Sequence, residues 1–249
     1  MFKPPAESFM TGNYKIVVKK IVELIISKKK KSVSFLPTSM NDFAIAKKES
    51  YSQKYKDINY FLPDGMPLAW WLKHIKKKNT QRIYGPNLMI SLLENKKINS
   101  KKHFFICPNE KSKKEIDKTI KHKFPNLKKY KTVSLQKNGK DNLKNTQQKI
   151  NNYQPDIIWI GIGSPRQVEI SSQIKHSTQG TSIFCVGAAF SLLIGTQIKT
   201  PEIIQNLGLE WAFRLLTEPV RLWKRYLVII PSYLISELLF FIKEKINKK

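Results

Sequence analysis

The sequence predicts an α/β protein built on a mostly parallel sheet with helices on both faces. Three observations carry this expectation. Six short apolar runs rich in β-branched and aromatic residues recur along the chain, at 32–36, 59–62, 103–107, 130–134, 156–162 and 181–186. Helical patterns separate them, so strand and helix alternate throughout. The fifth run, Asp156-Ile-Ile-Trp-Ile-Gly-Ile-Gly163, is apolar almost without interruption, as a strand covered on both faces must be.

Taken in order, Val17, Ile21, Leu24 and Ile25 recur at the spacing of one helix face ahead of the first strand. Pro67 opens a helix through Trp70, Trp71 and Ile75, and Pro86 another through Met89, Leu92 and Leu93, because a first helical turn has no use for the N–H that proline lacks. The string Leu62-Pro-Asp-Gly-Met-Pro67 puts Asp64 at a strand end just before a helix, where it suits a turn former or helix cap, and equally a general base. The fifth strand ends in Gly161 and Gly163 ahead of Ser164-Pro165-Arg166-Gln167. The sixth repeats the grammar, with Ser182-Ile-Phe-Cys-Val-Gly187 leading into Ala188-Ala-Phe-Ser-Leu-Leu-Ile-Gly195. Ligands of open α/β sheets bind outside the carboxyl ends of the strands, where helix N-termini offer free N–H groups, so both turns are phosphate-site candidates. Glycines there can also serve turn geometry alone. The third glycine of a dinucleotide fingerprint is missing, which disfavours a nicotinamide-type oxidoreductase.

With 41% hydrophobic and 25% charged residues, the chain excludes disorder and fibrous repeats and supports one substantial core or two small ones. Its 45 Lys and Arg against 18 Asp and Glu give a net charge of +27, which draws polyanions, anionic lipids or phosphorylated substrates without choosing among them. The lysine runs at 28–31, 76–78, 101–102 and 128–129 read as solvated loops and helix ends, or as a nucleic-acid footprint. Cys107 and Cys185 each close an apolar run, which fits a reducing compartment. The first residues are mixed polar with Pro4 and Pro5, unlike a secretory signal, so an intracellular protein is expected. His74, His103, His122 and His176 show no metal-ligand spacing.

Several strings, in order, resemble the WecG/TagA/CpsF family, the glycosyltransferases of family 26. They are Pro63-Asp-Gly65 with Pro67 and Trp70, Arg82-Ile-Tyr-Gly85, Gly161-Ile-Gly-Ser-Pro-Arg-Gln167, Val186-Gly-Ala-Ala-Phe190, Gly195, and Gly208-Leu-Glu-Trp-Ala-Phe-Arg-Leu-Leu-Thr-Glu-Pro-Val-Arg-Leu-Trp-Lys-Arg-Tyr226. The resemblance covers most of the chain and implies a Rossmann-like core. It further implies an inverting hexosyltransferase that moves an N-acetylhexosamine-type sugar, N-acetylmannosamine or its uronic acid, from a UDP-sugar to a polyprenyl-diphosphate-linked acceptor in teichoic acid or surface polysaccharide synthesis. By the same resemblance Asp64 is the base and Arg214 and Arg221 are catalytic, while Thr38, Arg82, Gly163, Ser164, Gln167, Ser191 and Arg225 bind substrate. Inversion requires a base for the acceptor hydroxyl and cationic or dipolar groups for the departing diphosphate. An Asp-x-Asp metal motif is not part of the pattern, so metal-independent catalysis without a cofactor is expected.

The chain departs from the family pattern in the register of its hydroxyl in Phe35-Leu-Pro-Thr-Ser-Met-Asn41, at Ser191 where Asp is usual, at Val168 where Glu is usual, with Glu169 following, and at Lys199-Thr-Pro201 in place of Arg-Ala-Pro. These departures bear on donor identity. The alternatives are an inactive family member and a basic α/β nucleic-acid-binding protein.

Over 211–226, Arg214, Arg221, Lys224 and Arg225 alternate with Phe213, Leu215, Leu216, Leu222 and Trp223, a cationic amphipathic stretch. Pro231 is expected to break the apolar run that follows, leaving a segment too interrupted to span a bilayer. Such helices suit the bilayer interface, a terminal core-packing pair or an oligomer contact. The resemblance favours the membrane and divides the chain into a catalytic core, 1–196, and a C-terminal helical, membrane-associating appendage, 197–249. Expected partners are the UDP-sugar donor, the lipid-linked saccharide acceptor, the membrane surface and a second copy of the chain as a homo-oligomer, with no nucleic acid. The expected location is cytoplasmic, peripheral on the inner face of the cell membrane.

Overall fold

The computed structural model describes residues 4–27, 30–75, 79–135 and 140–246; the lysines at 28–29 and 76–78 singled out above lie outside them. Strands β1 (Val33–Thr38), β2 (Tyr60–Pro63), β3 (His103–Cys107), β4 (Tyr130–Ser134), β5 (Ile157–Ile160) and β6 (Ser182–Cys185) form one sheet in the order β2-β1-β6-β5-β3-β4. Every pairing is parallel. Each of the six expected strands is present. β1 runs two residues further than expected, through Pro37 to Thr38. The proline is tolerated because β6 pairs only with Val33 to Phe35, so no ladder on that side asks for its N–H.

The helices are α1 (Tyr14–Ile26), α2 (Met40–Ala46), α3 (Glu49–Lys56), α4 (Met66–Ile75), α5 (Gly85–Leu93), α6 (Glu110–Lys123), α7 (Lys140–Tyr153), α8 (Arg166–Ser177), α9 (Ala189–Leu193), α10 (Glu202–Asn206), α11 (Glu210–Thr217), α12 (Pro219–Trp223) and α13 (Ile230–Ile246). Alternate strand residues feed two separate buried clusters. Phe35, Leu62, Phe105, Trp159 and Phe184 meet Val17, Ile21 and Ile25 of α1 and Leu88, Met89 and Leu92 of α5. Leu36, Phe61, Ile106, Ile160 and Ile183 meet Phe43, Tyr55 and Val168 on the other face. The continuous apolarity of the fifth strand is thereby explained.

Register turns the first cluster into a row of rings. Phe35 pairs with Tyr60 on one side and Phe184 on the other, Phe184 with Trp159, and Trp159 with Phe105. Parallel partners in register point the same way, so the five rings stack across five strands at centroid spacings of 5.2, 4.6, 4.7 and 6.3 Å. Buried His103 completes the row's polar side. The indole Nε1 of Trp159 donates to its Nδ1 at 3.1 Å, so its Nε2 carries the proton and faces the Ile98 carbonyl at 3.1 Å. Burial pushes its pKa down to about 4, which keeps the ring neutral.

The helix expected through Trp70, Trp71 and Ile75 is present as α4; it buries Leu68 and Ala69 and leaves both tryptophans 49% exposed. Trp70 lies against Gly208, where an added Cβ would come within 2.5 Å of its ring. One expectation needs correction: Pro231 does not break the C-terminal helix. The π-helical turn Lys224–Ile229 carries α12 into α13, and the Ile230 N–H reaches back five residues to the Arg225 carbonyl. The wider turn absorbs the proline, which has no N–H to give and needs room for its ring. α13 then packs on α2, with Lys47 Nζ donating to Ser236 Oγ at 2.7 Å and pairing with Glu237 at 3.3 Å. Among the described residues no helix is long and apolar enough to cross a membrane.

Candidate active site

The loops after β1, β2, β5 and β6, together with residues of α11, α12, the π turn and α13, enclose a cleft of about 750 Å³ at the carboxyl ends of the strands. Asp64 stands on its wall one residue past β2. Its position is stitched by the backbone: the Asp64 N–H donates to the Thr38 carbonyl at 3.0 Å and the Ile83 N–H to the Pro63 carbonyl at 2.7 Å. Burial pushes the Asp64 carboxyl up to about 6; the nearby Arg82 guanidinium pulls the other way, and the charge of Glu210 adds to the rise. A quarter of the side chain still meets the cleft.

The arginines differ in how many donors they have left. Arg82 stacks on Tyr84 at 4.3 Å. Its Nε donates to the Asp64 carbonyl, Nη1 to Gln205 Oε1 at 3.3 Å, and Nη2 to both Asp64 Oδ1 at 3.3 Å and Glu210 Oε2 at 2.5 Å. That commits nearly all of its five N–H groups to protein acceptors. Arg214, 16% exposed, has among the described residues a single distant ion-pair partner, Glu210 Oε1 at 3.9 Å. Arg225 donates from Nη2 to Ser39 Oγ at 3.1 Å, while its Nε is buried with no acceptor among the described residues. Arg221 is 56% exposed and bound to Glu218 at 2.5 Å. Of the four, Arg214 and Arg225 have the most to offer an incoming anion.

The turn after β5 is built by two contacts. Gly161 must be glycine because the Phe190 ring of α9 rests on it; an added Cβ would lie 2.3 Å from the ring. Buried Gln167 then folds back over the turn, accepting the Gly163 N–H at 3.3 Å and donating to Ser164 Oγ at 3.1 Å. Ser164 in turn donates to Asp42 Oδ1 at 2.7 Å. Asp42 Oδ2 accepts the Ser39 N–H at 2.9 Å and its hydroxyl at 3.0 Å. A chain of hydrogen bonds therefore joins Gln167, Ser164, Asp42, Ser39 and Arg225, linking the turn after β5 to the C-terminal helices.

Asp64, Arg82, Gly163, Ser164, Gln167, Ser191, Arg214, Arg221 and Arg225 all line the cleft. Thr38 does not: it is fully buried and its hydroxyl donates to the Leu36 carbonyl at 2.7 Å, while Ser39 and Asn41 take the place on the wall. Val168 is core, and Glu169 points away to an ion pair with Lys54, so neither stands in the cleft. Sequence reasoning passed over Asp42 and Glu210. The signal for Asp42 is the spacing Ser39-x-x-Asp42, an acid that reaches back to its helix cap. Among the described residues no three His, Cys, Asp or Glu gather as a metal ion would require. Cys107 and Cys185 are buried free thiols, each pushed up to about 12 by burial.

A parallel α/β sheet with a carboxyl group of raised pKa and several guanidinium groups gathered at its carboxyl edge has the makings of a site for anionic, phosphorylated ligands. Comparison with known proteins narrows this: the chain belongs to the WecG/TagA/CpsF family of glycosyl transferases, whose model matches residues 8–249. Among its relatives, the N-acetylglucosaminyldiphosphoundecaprenol N-acetyl-beta-D-mannosaminyltransferase of Bacillus subtilis is 29% identical over 83% of this chain and 77% of its own. The enzyme of the same name from Bacillus spizizenii is 28% identical over 76% and 71%, and that from Staphylococcus aureus 23% identical over 71% and 67%. Of the classes that composition and glycine spacing left open, this membership selects the glycosyltransferase.

Proposed function

We propose that the protein moves an N-acetylhexosamine-type sugar of the N-acetylmannosamine kind from a UDP-sugar to a polyprenyl-diphosphate-linked saccharide, with inversion and without a metal ion. The reading rests above all on Asp64, a carboxyl group on the cleft wall whose pKa burial raises to about 6, with Arg214 near enough to act on its charge. A base of that strength takes a hydroxyl proton far better than an ordinary aspartate. As Asp64 removes the proton, the acceptor oxygen bonds the anomeric carbon from the face opposite the UDP, the bond to the diphosphate oxygen breaks, and its electrons leave on the diphosphate.

Arg214 and Arg225, with donors to spare, hold that charge in a partly dry cleft. Arg82 keeps Asp64 in place. Gln167 and the turn at Gly163 and Ser164 face the donor, where an amide can both give and accept hydrogen bonds with sugar hydroxyls or an acetamido group. The cleft wall also carries Met66, Pro67, Trp211, Tyr226, Ile230 and Leu234, an apolar share that suits the lipid portion of an acceptor. The names of the relatives, which specify a diphosphoundecaprenol acceptor and a mannosaminyl donor group, support both substrate classes.

The direct test is a panel of UDP-sugars offered with a short-chain lipid diphosphate saccharide, with and without chelator, scoring released UDP and linked product. Transfer from a UDP-N-acetylhexosamine, undiminished by chelator, is expected. Asp64→Asn should abolish transfer and leave UDP binding nearly intact, and transfer by that variant would contradict the assignment of the base.

A further inference from the structure

The Arg82 guanidinium stands between two carboxylates from distant parts of the chain. Its Nη2 lies 2.5 Å from Glu210 Oε2 and 3.3 Å from Asp64 Oδ1, so the acid of α11 holds the shared nitrogen more closely than the acid of β2's loop. Glu210 sits in the first turn of α11, where a carboxylate commonly does no more than offset unpaired helix N–H groups. Here it is only 13% exposed and turned inward, with its second oxygen 3.9 Å from Arg214. The charged and titratable groups that act on Asp64 are Arg82 and Glu210, with Arg214, while Tyr84 lies under the Arg82 guanidinium.

We propose that Glu210 is a positioning residue for the base: by taking the larger share of Arg82, it keeps Asp64 loosely paired and therefore basic, and makes that basicity conditional on the seating of α11 against the core. The inference deepens the function proposed above and rests on Asp64 acting as the base. Without Glu210, Nη2 would turn wholly to Asp64. A fully paired carboxylate loses its proton more readily and takes one from a hydroxyl less readily. An α11 that swings away carries Glu210 with it, so an unseated appendage leaves a weak base behind. The burial that raises Asp64 is reinforced by the Glu210 charge in the same direction.

The test compares wild type with Glu210→Gln and Glu210→Asp by two readouts. In the pH profile of kcat, Glu210→Gln should move the acidic limb down by about one pH unit and lower the plateau on the order of tenfold, while Glu210→Asp restores the limb. In carbon-13 aspartate-labelled protein, the Asp64 carboxyl signal, assigned by its loss in Asp64→Asn, should titrate at correspondingly lower pH in Glu210→Gln. A limb and a titration both unmoved, with only the rate scaled down, would overturn the proposal and leave Glu210 a structural helix residue. The titration needs no substrate. A shifted Asp64 signal in a protein that transfers no sugar therefore speaks against the proposed reaction, and an unshifted signal in an active transferase against Glu210 alone.

Discussion

At the scale of single residues, burial shifts two titratable groups toward their neutral forms, one governing activity and the other stability. Asp64 must be ionised to act, so kcat should rise as pH passes about 6 and reach half its plateau there, a limb absent from any residual activity of Asp64→Asn. His103 is held neutral, its folded pKa of about 4 lying below the ordinary 6.5. The unfolded chain then binds the extra proton first, and stability falls as pH drops below the ordinary value. Chemical denaturation should show about 2 kcal/mol lost to this group between pH 7 and 5, and His103→Phe should flatten the slope by that amount. Asp64, Gln167 and Ser164 were legible in the sequence because strand ends, glycines and prolines bracket them. Thr38 was misleading for a small geometric reason. It is the last residue of β1, its hydroxyl caught by the Leu36 carbonyl, and the first side chain free to face the cleft belongs to Ser39.

At the scale of elements, the row of rings across β2, β1, β6, β5 and β3 binds the sheet sideways. Phe184 stands in its middle, stacked on both Phe35 and Trp159 and fully buried, so Phe184→Ala should cost about 3–5 kcal/mol of unfolding free energy. The contact of Trp70 with Gly208 is a second joint, between α4 and the turn before α11. Gly208→Ala, strained at a φ of +74° and driven into the Trp70 ring, should unseat α11 and lower kcat on the order of tenfold at a temperature where the variant is still fully folded by melting. Strands were legible because composition and alternation are local properties. What escaped was set by partners the local pattern does not name: nothing in the sequence ties Trp70 to Gly208, and Pro231 reads as a break until the π turn ahead of it is known. The arginines also sort at this scale. Arg214→Ala should lower kcat on the order of 100-fold, with a smaller loss for Arg221→Ala, whose group is half in solvent and already paired.

For the molecule as a whole, the C-terminal helices leave large apolar side chains in solvent. Leu216 and Val220 are 82% and 89% exposed, exposed Ile203 and Leu207 precede them in sequence, and exposed Arg221 and Lys224 follow. Large exposed apolar surfaces mark contact sites. We expect binding to vesicles containing anionic lipid, weakened by salt, with little binding to zwitterionic ones; a salt-insensitive dimer that ignores vesicles would assign these side chains to a second copy instead. The sheet order carries a consequence for synthesis. β6 is the last strand to be translated, yet it lies between β1 and β5. Before it emerges, the pair β1-β2 and the trio β5-β3-β4 share no backbone bonds and present bare edges, for on the order of ten seconds of translation after β2 is made. The cleft draws on both halves, with Asp64 from one and Ser164 and Gln167 from the other, so it cannot exist in any nascent chain that has not yet received this keystone.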